Sequence, residues 1–212
     1  RNERLLENKE RLLVEAKLSA LSAQINPHFL FNTLNTVGSL IRTNPDKARK
    51  VVYQLSSILR RMLRKTDNFT PLREEISFIN DYLHIEMTRF GDKLKFVQEV
   101  DEATLDCQIP AMLLQPLIEN SIKQGLSPKL EGGTVRLESR YERRPEGLRL
   151  LLSVADDGVG IDDERLESIL EQPGIGVSNV NERLLVLFGA NYRLSVTSQI
   201  GEGTRTTIEL PA

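Results

Sequence analysis

Three separated segments in the C-terminal half carry side chains able to grip and polarise a ligand: LIENSIKQG at 117–125, DDGVGI at 156–161 and GIGVSN at 174–179. Taken alone, Asp-x-Gly-x-Gly after a strand is a polar turn, because Asp and Gly are what turns require. Three such pieces in this order and this close together are hard to explain as unrelated turns. Asp156 closes an apolar stretch, and its carboxylate can accept a hydrogen bond from an exocyclic amine such as that of adenine; Gly158 and Gly160 let backbone and base approach closely. Gly174 and Gly176 precede a helical pattern, whose free N–H groups and positive end can hold phosphate oxygens. In the helix expected after Pro110, Leu114, Leu117, Ile118 and Ile122 form one stripe, which leaves Asn120, Lys123 and Gln124 together on the opposite face. An Asn amide oxygen suits a Mg²⁺ ion that bridges phosphates, and Lys supplies a point charge. The alternative for that trio is an ordinary solvated helix face. Each of the three pieces has a physical job if the ligand is ATP with Mg²⁺.

A fourth candidate lies far upstream, in LSAQINPHFLFNTLN at 21–35, which holds His28 directly after Pro27. A proline in a helical pattern removes a backbone hydrogen bond and loosens the turn, exposing its neighbour. An exposed neutral imidazole can attack phosphorus. A lone histidine is more often a core or capping residue, and His84, the other histidine of the chain, keeps that reading.

The elements that must position these groups follow from pattern. Residues 3–23 are rich in Leu, Glu, Lys, Arg and Ala, with Leu6, Leu13 and Ala20 at heptad spacing, and read as a helix with a short coiled-coil-like seam. A single amphipathic helix packed on its own chain is the alternative. Asn44-Pro45 is a cap followed by a first-turn proline, and Ala48, Val51, Val52, Leu55, Ile58, Leu59, Met62 and Leu63 form one stripe of a helix running to about Lys65. Two helices joined near Thr43 make a hairpin, and two hairpins pair as a four-helix bundle, which implies a homodimer. A helix over 72–90 leads through Gly91-Asp92 into alternating sequence at 94–100. Strands fit 134–141, 148–154, 192–198 and 204–210, with helices at about 111–126, 163–171 and 177–188.

The fold class is therefore α+β: a helical hairpin followed by a two-layer α/β sandwich. The expected divisions are a signalling helix at 1–17, a dimerisation and phosphotransfer hairpin at 18–68, a connecting helix at 69–93 and an ATP-binding domain at 94–212. The composition is that of a globular protein, with 40% hydrophobic and 27% charged residues. A formal net charge of −2 argues against DNA or RNA as a direct partner. Cys107, the sole cysteine, cannot form an internal disulfide, and no Cys/His cluster has zinc-ligand spacing. No stretch approaches the roughly 18–20 apolar residues that span a bilayer. The chain opens at Arg1 in what reads as mid-helix, so an upstream portion of a longer protein is expected.

The nucleotide segments resemble the N, G1 and G2 boxes of the ATPase fold shared by histidine kinases, type II topoisomerases, Hsp90 chaperones and mismatch-repair ATPases. The 21–35 stretch resembles the phosphoacceptor box of LytS/YehU-type sensor histidine kinases, as do LSSILRRMLR at 55–64, FTPLREEISFINDYLHIEMTRFGDKL at 69–94 and IPAMLLQPLIEN at 109–120. The similarity covers nearly everything from residue 18 onward. It implies that His28 is the phosphoacceptor, that Asn120 binds Mg²⁺, that Asp156 reads adenine, that the glycines pass under the phosphates and that Thr204 supports the adenine contact. It also implies a response regulator as partner, often of the LytTR DNA-binding class, and a membrane-embedded sensor upstream, so that these residues form the cytoplasmic portion.

Departures from the family pattern matter. Many histidine kinases place an acidic residue after the phosphoacceptor; here it is Phe29, and Glu119 is the candidate base instead. Gln124 stands where the family commonly has His, which bears on its adenine or phosphate contacts. Only residues 161–173 separate Gly160 from Gly174, so a lid would be short. Hydrolytic superfamily members carry a water-activating Glu where this chain has Pro116, which favours transfer to a protein side chain. Asn32, one turn after His28, is a candidate for orienting a water in regulator dephosphorylation. An ATP-hydrolysing conformational clamp and a non-catalytic pseudokinase acting as a dimeric binding module are the competing functions.

Overall fold

The structure is a computed structural model and describes residues 27–63, 68–145, 147–170, 176–189, 191, 192 and 194–212. The chain divides between Thr66 and Asp67 into two units. The heptad-patterned stretch at 3–23, the turn before Pro27 and the glycine at position 174 lie outside the described residues.

The first unit is a hairpin of α1 (Pro27–Thr43) and α2 (Pro45–Leu63). Asn44 alone joins them, and it serves both. Its N–H closes α1 on Leu40 O at 2.8 Å, its carbonyl accepts Ala48 N–H at 3.0 Å, and its Oδ1 caps α2 by accepting Lys47 N–H at 3.0 Å. Pro45 fits at the first helical position because its missing N–H would have no partner there. Ala48, Val51, Leu55, Ile58 and Met62 are buried along α2, with Phe29 and Thr33 buried on α1. Val52, expected within the stripe, is exposed, and Leu59 is half-buried. A seam of one residue per turn is narrower than the run of apolar letters suggests.

The second unit is built on a five-stranded mixed sheet in the order β2-β4-β5-β7-β6. The strands are β2 (Leu94–Val100), β4 (Gly133–Arg144), β5 (Gly147–Asp156), β6 (Leu194–Gln199) and β7 (Gly203–Pro211). Only β2 and β4 run parallel. Period-two alternation makes the sheet two-faced. Val135, Leu137, Leu150, Leu152, Val154, Ile208 and Leu210 are buried on the inner side. The outer side carries ion pairs between strands, Arg205 of β7 with Glu138 of β4 across the intervening β5, and Arg136 of β4 with Glu99 of the adjacent β2. One apolar face demands one covering layer, which is the two-layer α+β sandwich expected from the sequence.

That layer consists of α3 (Leu72–Phe90), α4 (Gln115–Asn120) continued by a π-helical turn (Ser121–Leu126), α5 (Asp163–Ser168) and α6 (Gly176–Phe188). The sequence suggests one regular helix from about residue 111; instead, 111–114 form a turn and the last stretch widens to π geometry. Residues 69–93, expected as a connector, belong to this unit, and α3 buries Leu72, Ile76, Ile79, Tyr82, Leu83 and Ile85. A short antiparallel ladder of β1 (Phe69–Pro71) and β3 (Gln108–Pro110), absent from the sequence expectations, ties its start down.

Glu75, in the first turn of α3, is 4% exposed and anchors the turn before α4. Its Oε2 accepts Met112 N–H and its Oε1 accepts Leu114 N–H, both at 3.0 Å. Arg183 of α6 donates to Ala111 O at 2.5 Å in the same turn. Met112 adopts φ of +57°, a conformation that β-carbon sterics disfavour and that these contacts hold. Glu75→Ala leaves the buried Leu114 N–H and the part-buried Met112 N–H without acceptors and is expected to cost about 2–4 kcal/mol, read as a lowered midpoint of urea unfolding at constant m value. Glu75→Gln, which keeps one acceptor oxygen, should lose less.

Candidate nucleotide site and phosphoacceptor histidine

A cavity of about 400 Å³ opens between the covering helices and the C-terminal end of β5. Asn120 and Gln124 line it from α4 and the π turn, Asp156 and Gly160 from the end of β5, Gly176 from the start of α6, and Thr204 from β7. Five of the residues singled out by spacing, and Thr204 from the family resemblance, thus share one cavity.

Asp156 is 8% exposed, and burial pushes its carboxyl above the usual value of 3.8. Hydrogen bonds from Ser121, from Gly158 N–H and from Thr204 N–H work against that shift, with the Gly158 bond at 3.0 Å to Oδ1. Its position depends on backbone surfaces without side chains. A Cβ at Gly125 would stand 2.6 Å from Asp156 Oδ1, and one at Gly158 would stand 2.4 Å from the Gly125 carbonyl. Val159 N–H then bonds Gly125 O at 3.0 Å, locking the turn to the π-helical backbone. Gly160 has φ of +73°, and a Cβ there would meet Gln199 O at 2.0 Å. The glycines expected to lie next to the ligand therefore pack first against protein backbone.

The same turn is fastened to the β6–β7 hairpin. Ile161 donates to Ser198 Oγ at 2.9 Å, Gly201 donates to Val159 O at 2.9 Å, and Ser198 Oγ meets Thr204 Oγ1 at 2.9 Å. Ser198, Ser121 and Gly125 escaped the reading of the sequence. Ser198 was recoverable from hairpin register, which pairs it with Thr204. Gly125 closes the very segment that carries Asn120.

Asn120 shows the fit to a bound group most directly. Its Nδ2 is buried without a partner among the described residues, and a Cβ added to Gly176 would approach that atom to 3.2 Å. A buried amide with an unmet bond is costly unless a ligand organises it. Pro116 stands beside it, with its Cβ 3.2 Å from the same Gly176 position.

Lys123 and Glu119 are not among the residues lining the cavity. Glu119 accepts from Gln115 Nε2 at 2.8 Å and from Lys123 Nζ at 3.1 Å, along the face of α4 turned toward α3. There, burial raises the carboxyl of Glu86; Arg89 at 2.7 Å opposes that shift and the charge of Glu119 adds to it. Asn120 is one residue on from Glu119, about 100° around the helix, so one polar run serves two surfaces.

In the first unit His28 is exposed while the following Phe29 is 7% exposed, so the residue directly after the histidine is a core residue. Asn32 Nδ2 lies 3.1 Å from His28 Nδ1 and 3.3 Å from Nε2. The Asn32 amide thus sits within hydrogen-bonding reach of the ring, where its N–H can donate to a nitrogen that carries no proton.

Residues 16–94 match the model of the histidine kinase family, and residues 108–212 match the histidine kinase-, DNA gyrase B-, and HSP90-like ATPase family. Over 205 residues the chain is 35% identical to sensor histidine kinase BtsS of Escherichia coli K12, covering 97% of this chain and 35% of that protein. The chain belongs to the LytS/YehU-type sensor histidine kinases. Among the relatives of this family, sensor histidine kinase YesM of Bacillus subtilis is 36% identical over 213 residues, covering 99% of this chain and 36% of that protein. The chain thus spans about a third of the length of these curated relatives. The histidine kinase domain of an Erythrobacter litoralis blue-light activated kinase shares the fold at TM-score 0.50 and 19% identity, covering 96% of this chain and 94% of that one. The catalytic domain of histidine kinase ThkA does so at 0.52 and 19%, covering 68% of this chain and 94% of its own.

The raised carboxyl of Asp156 has a definite sign. The folded protein binds its proton more tightly than the unfolded chain, so this group's contribution to stability is fullest below the usual 3.8 and declines as pH rises through the folded value. Asp156→Asn, which lacks the charge, should therefore gain on the parent in unfolding free energy between about pH 4 and about pH 7, measured by urea titration. A difference that stays flat over that range would contradict the burial account.

Proposed function

We propose that this kinase family member uses ATP as substrate to phosphorylate His28 and then passes the phosphoryl group to a response regulator, working as a homodimer. The imidazole nitrogen forms a bond to the γ-phosphorus as the bond to the β-phosphate oxygen breaks and ADP leaves. The observation that carries this reading is the cavity in which a buried carboxylate, an unsatisfied buried amide and a helix start converge, in a chain that also displays an exposed imidazole. Asp156 would take the adenine amine and Thr204 would support it, with Gly158, Gly160, Gly174 and Gly176 forming the turns on either side. Mg²⁺ would be held by Asn120 and would neutralise charge developing on the phosphates.

Exposed apolar side chains on the hairpin, including Phe31 and Ile41, support pairing of two copies. ThkA, whose fold this chain shares, has been crystallised with response regulator protein TrrA. A regulator of the LytTR class as the partner here belongs to the proposal, as does a membrane sensor upstream; no described helix is long and apolar enough to cross a membrane. Pro116, beside Asn120, supports transfer to a side chain over transfer to water.

Incubation with γ-labelled ATP and Mg²⁺ should give protein-bound label that is acid-labile and alkali-stable, and that is lost in His28→Gln. ATP turnover with no label on the protein would identify an ATP-driven clamp instead. Asn32→Ala should slow dephosphorylation of the partner regulator by at least about tenfold, as expected when a water-orienting group is lost; an unchanged rate would remove Asn32 from that role.

A further inference from the structure

Charge balance in the cavity identifies a residue that neither the spacing argument nor the family resemblance assigns. A triphosphate brings several negative charges, yet among the described residues lining the cavity only Asp156 and Arg165 are charged. Asp156 has the wrong sign to meet a phosphate. Lys123, the cation suggested by the sequence, is drawn aside by Glu119 at 3.1 Å. Lys129 is occupied as well, with Nζ donating to Asp157 O at 2.8 Å.

The segment that borders the cavity between β5 and α6 narrows the choice. From Leu150 to Glu182 the chain contains one basic residue, Arg165. Residues 171–175 contain no lysine or arginine. Arg165 has a fixed base, because Asp162 caps α5 by accepting Arg165 N–H at 2.8 Å. Exposed carboxylates surround it at Asp162, Asp163, Glu164 and Glu167, yet among the described residues none forms an ion pair with its guanidinium. A guanidinium left unpaired among acids at the mouth of a cavity is available to an anion that enters it.

We propose that Arg165 supplies the countercharge to the phosphate chain of the bound nucleotide, the role that spacing alone gives to Lys123. This rests on the cavity being a nucleotide site, and the experiment separates the two ideas. Affinities of ATP, ADP and AMP are measured by calorimetry for the parent, Arg165→Ala, Arg165→Lys and Lys123→Ala, with Arg140→Ala on the outer sheet face as a charge-matched control. Arg165→Ala should lose at least about tenfold in ATP affinity, the size expected for one charge-assisted contact. The loss should shrink from ATP to ADP to AMP, Arg165→Lys should recover part of it, and Lys123→Ala should lose less. The parent's ATP affinity should also fall more steeply with salt than that of Arg165→Ala. A parent that binds ATP alongside an Arg165→Ala protein that binds it equally well overturns the proposal, as does a loss identical for all three nucleotides. A parent that binds no ATP removes the nucleotide reading itself.

Discussion

The close approach of three backbone segments around one buried carboxylate is the constraint on which the site depends. Asp156 ends β5, the π-helical turn passes over it at Gly125, and the following turn returns under that turn at Gly158. A β-carbon at either glycine would collide with its neighbours, and the contacts that the bare backbone permits hold the carboxylate at the cavity wall. Burying a carboxyl without a full ion pair costs free energy, which three hydrogen bonds only partly offset. A carboxylate held at that cost is a preorganised acceptor for a ligand donor that enters the cavity.

The layer above the sheet is aligned by a second buried carboxylate with a different task. Glu75 fastens the turn before α4 through two backbone N–H groups, and Arg183 grips the same turn from α6. The helices bearing Asn120 and Gly176 are thereby tied to one point. The π-helical widening follows immediately after Asn120; such insertions change the angular phase of a helix, which brings Ser121 and Gly125 to Asp156 while Ile122 and Leu126 stay buried.

Periodicity reads accurately where one face of an element meets one surface. α3, β2 and β5 occur where alternation and caps place them, because their burial is set by local pattern. It reads less well where two surfaces compete for the same helix. Lys123 shares a face with Asn120 by spacing alone, but Glu119, four residues earlier, draws it toward α3. Ion pairs between neighbouring turns are invisible to a hydrophobic stripe. The β1–β3 ladder was equally hidden, since each strand is three residues long and the pairing joins positions nearly forty residues apart.

What the sequence determined by itself is the set of groups with no substitute elsewhere in the chain: one histidine behind a proline, one Asp before paired glycines, one Asn in an apolar helix. Their chemistry follows from residue type, and their order identifies the family. The tertiary structure alone decided which of them meet. It brought Ser121 and Gly125 to the carboxylate and Ser198 to the turn that follows it, turned Glu119 and Lys123 toward α3, and left Arg165 as the cation at the cavity. Convergence of this kind depends on packing between elements distant in the chain, and neither spacing nor propensity within one element contains that information.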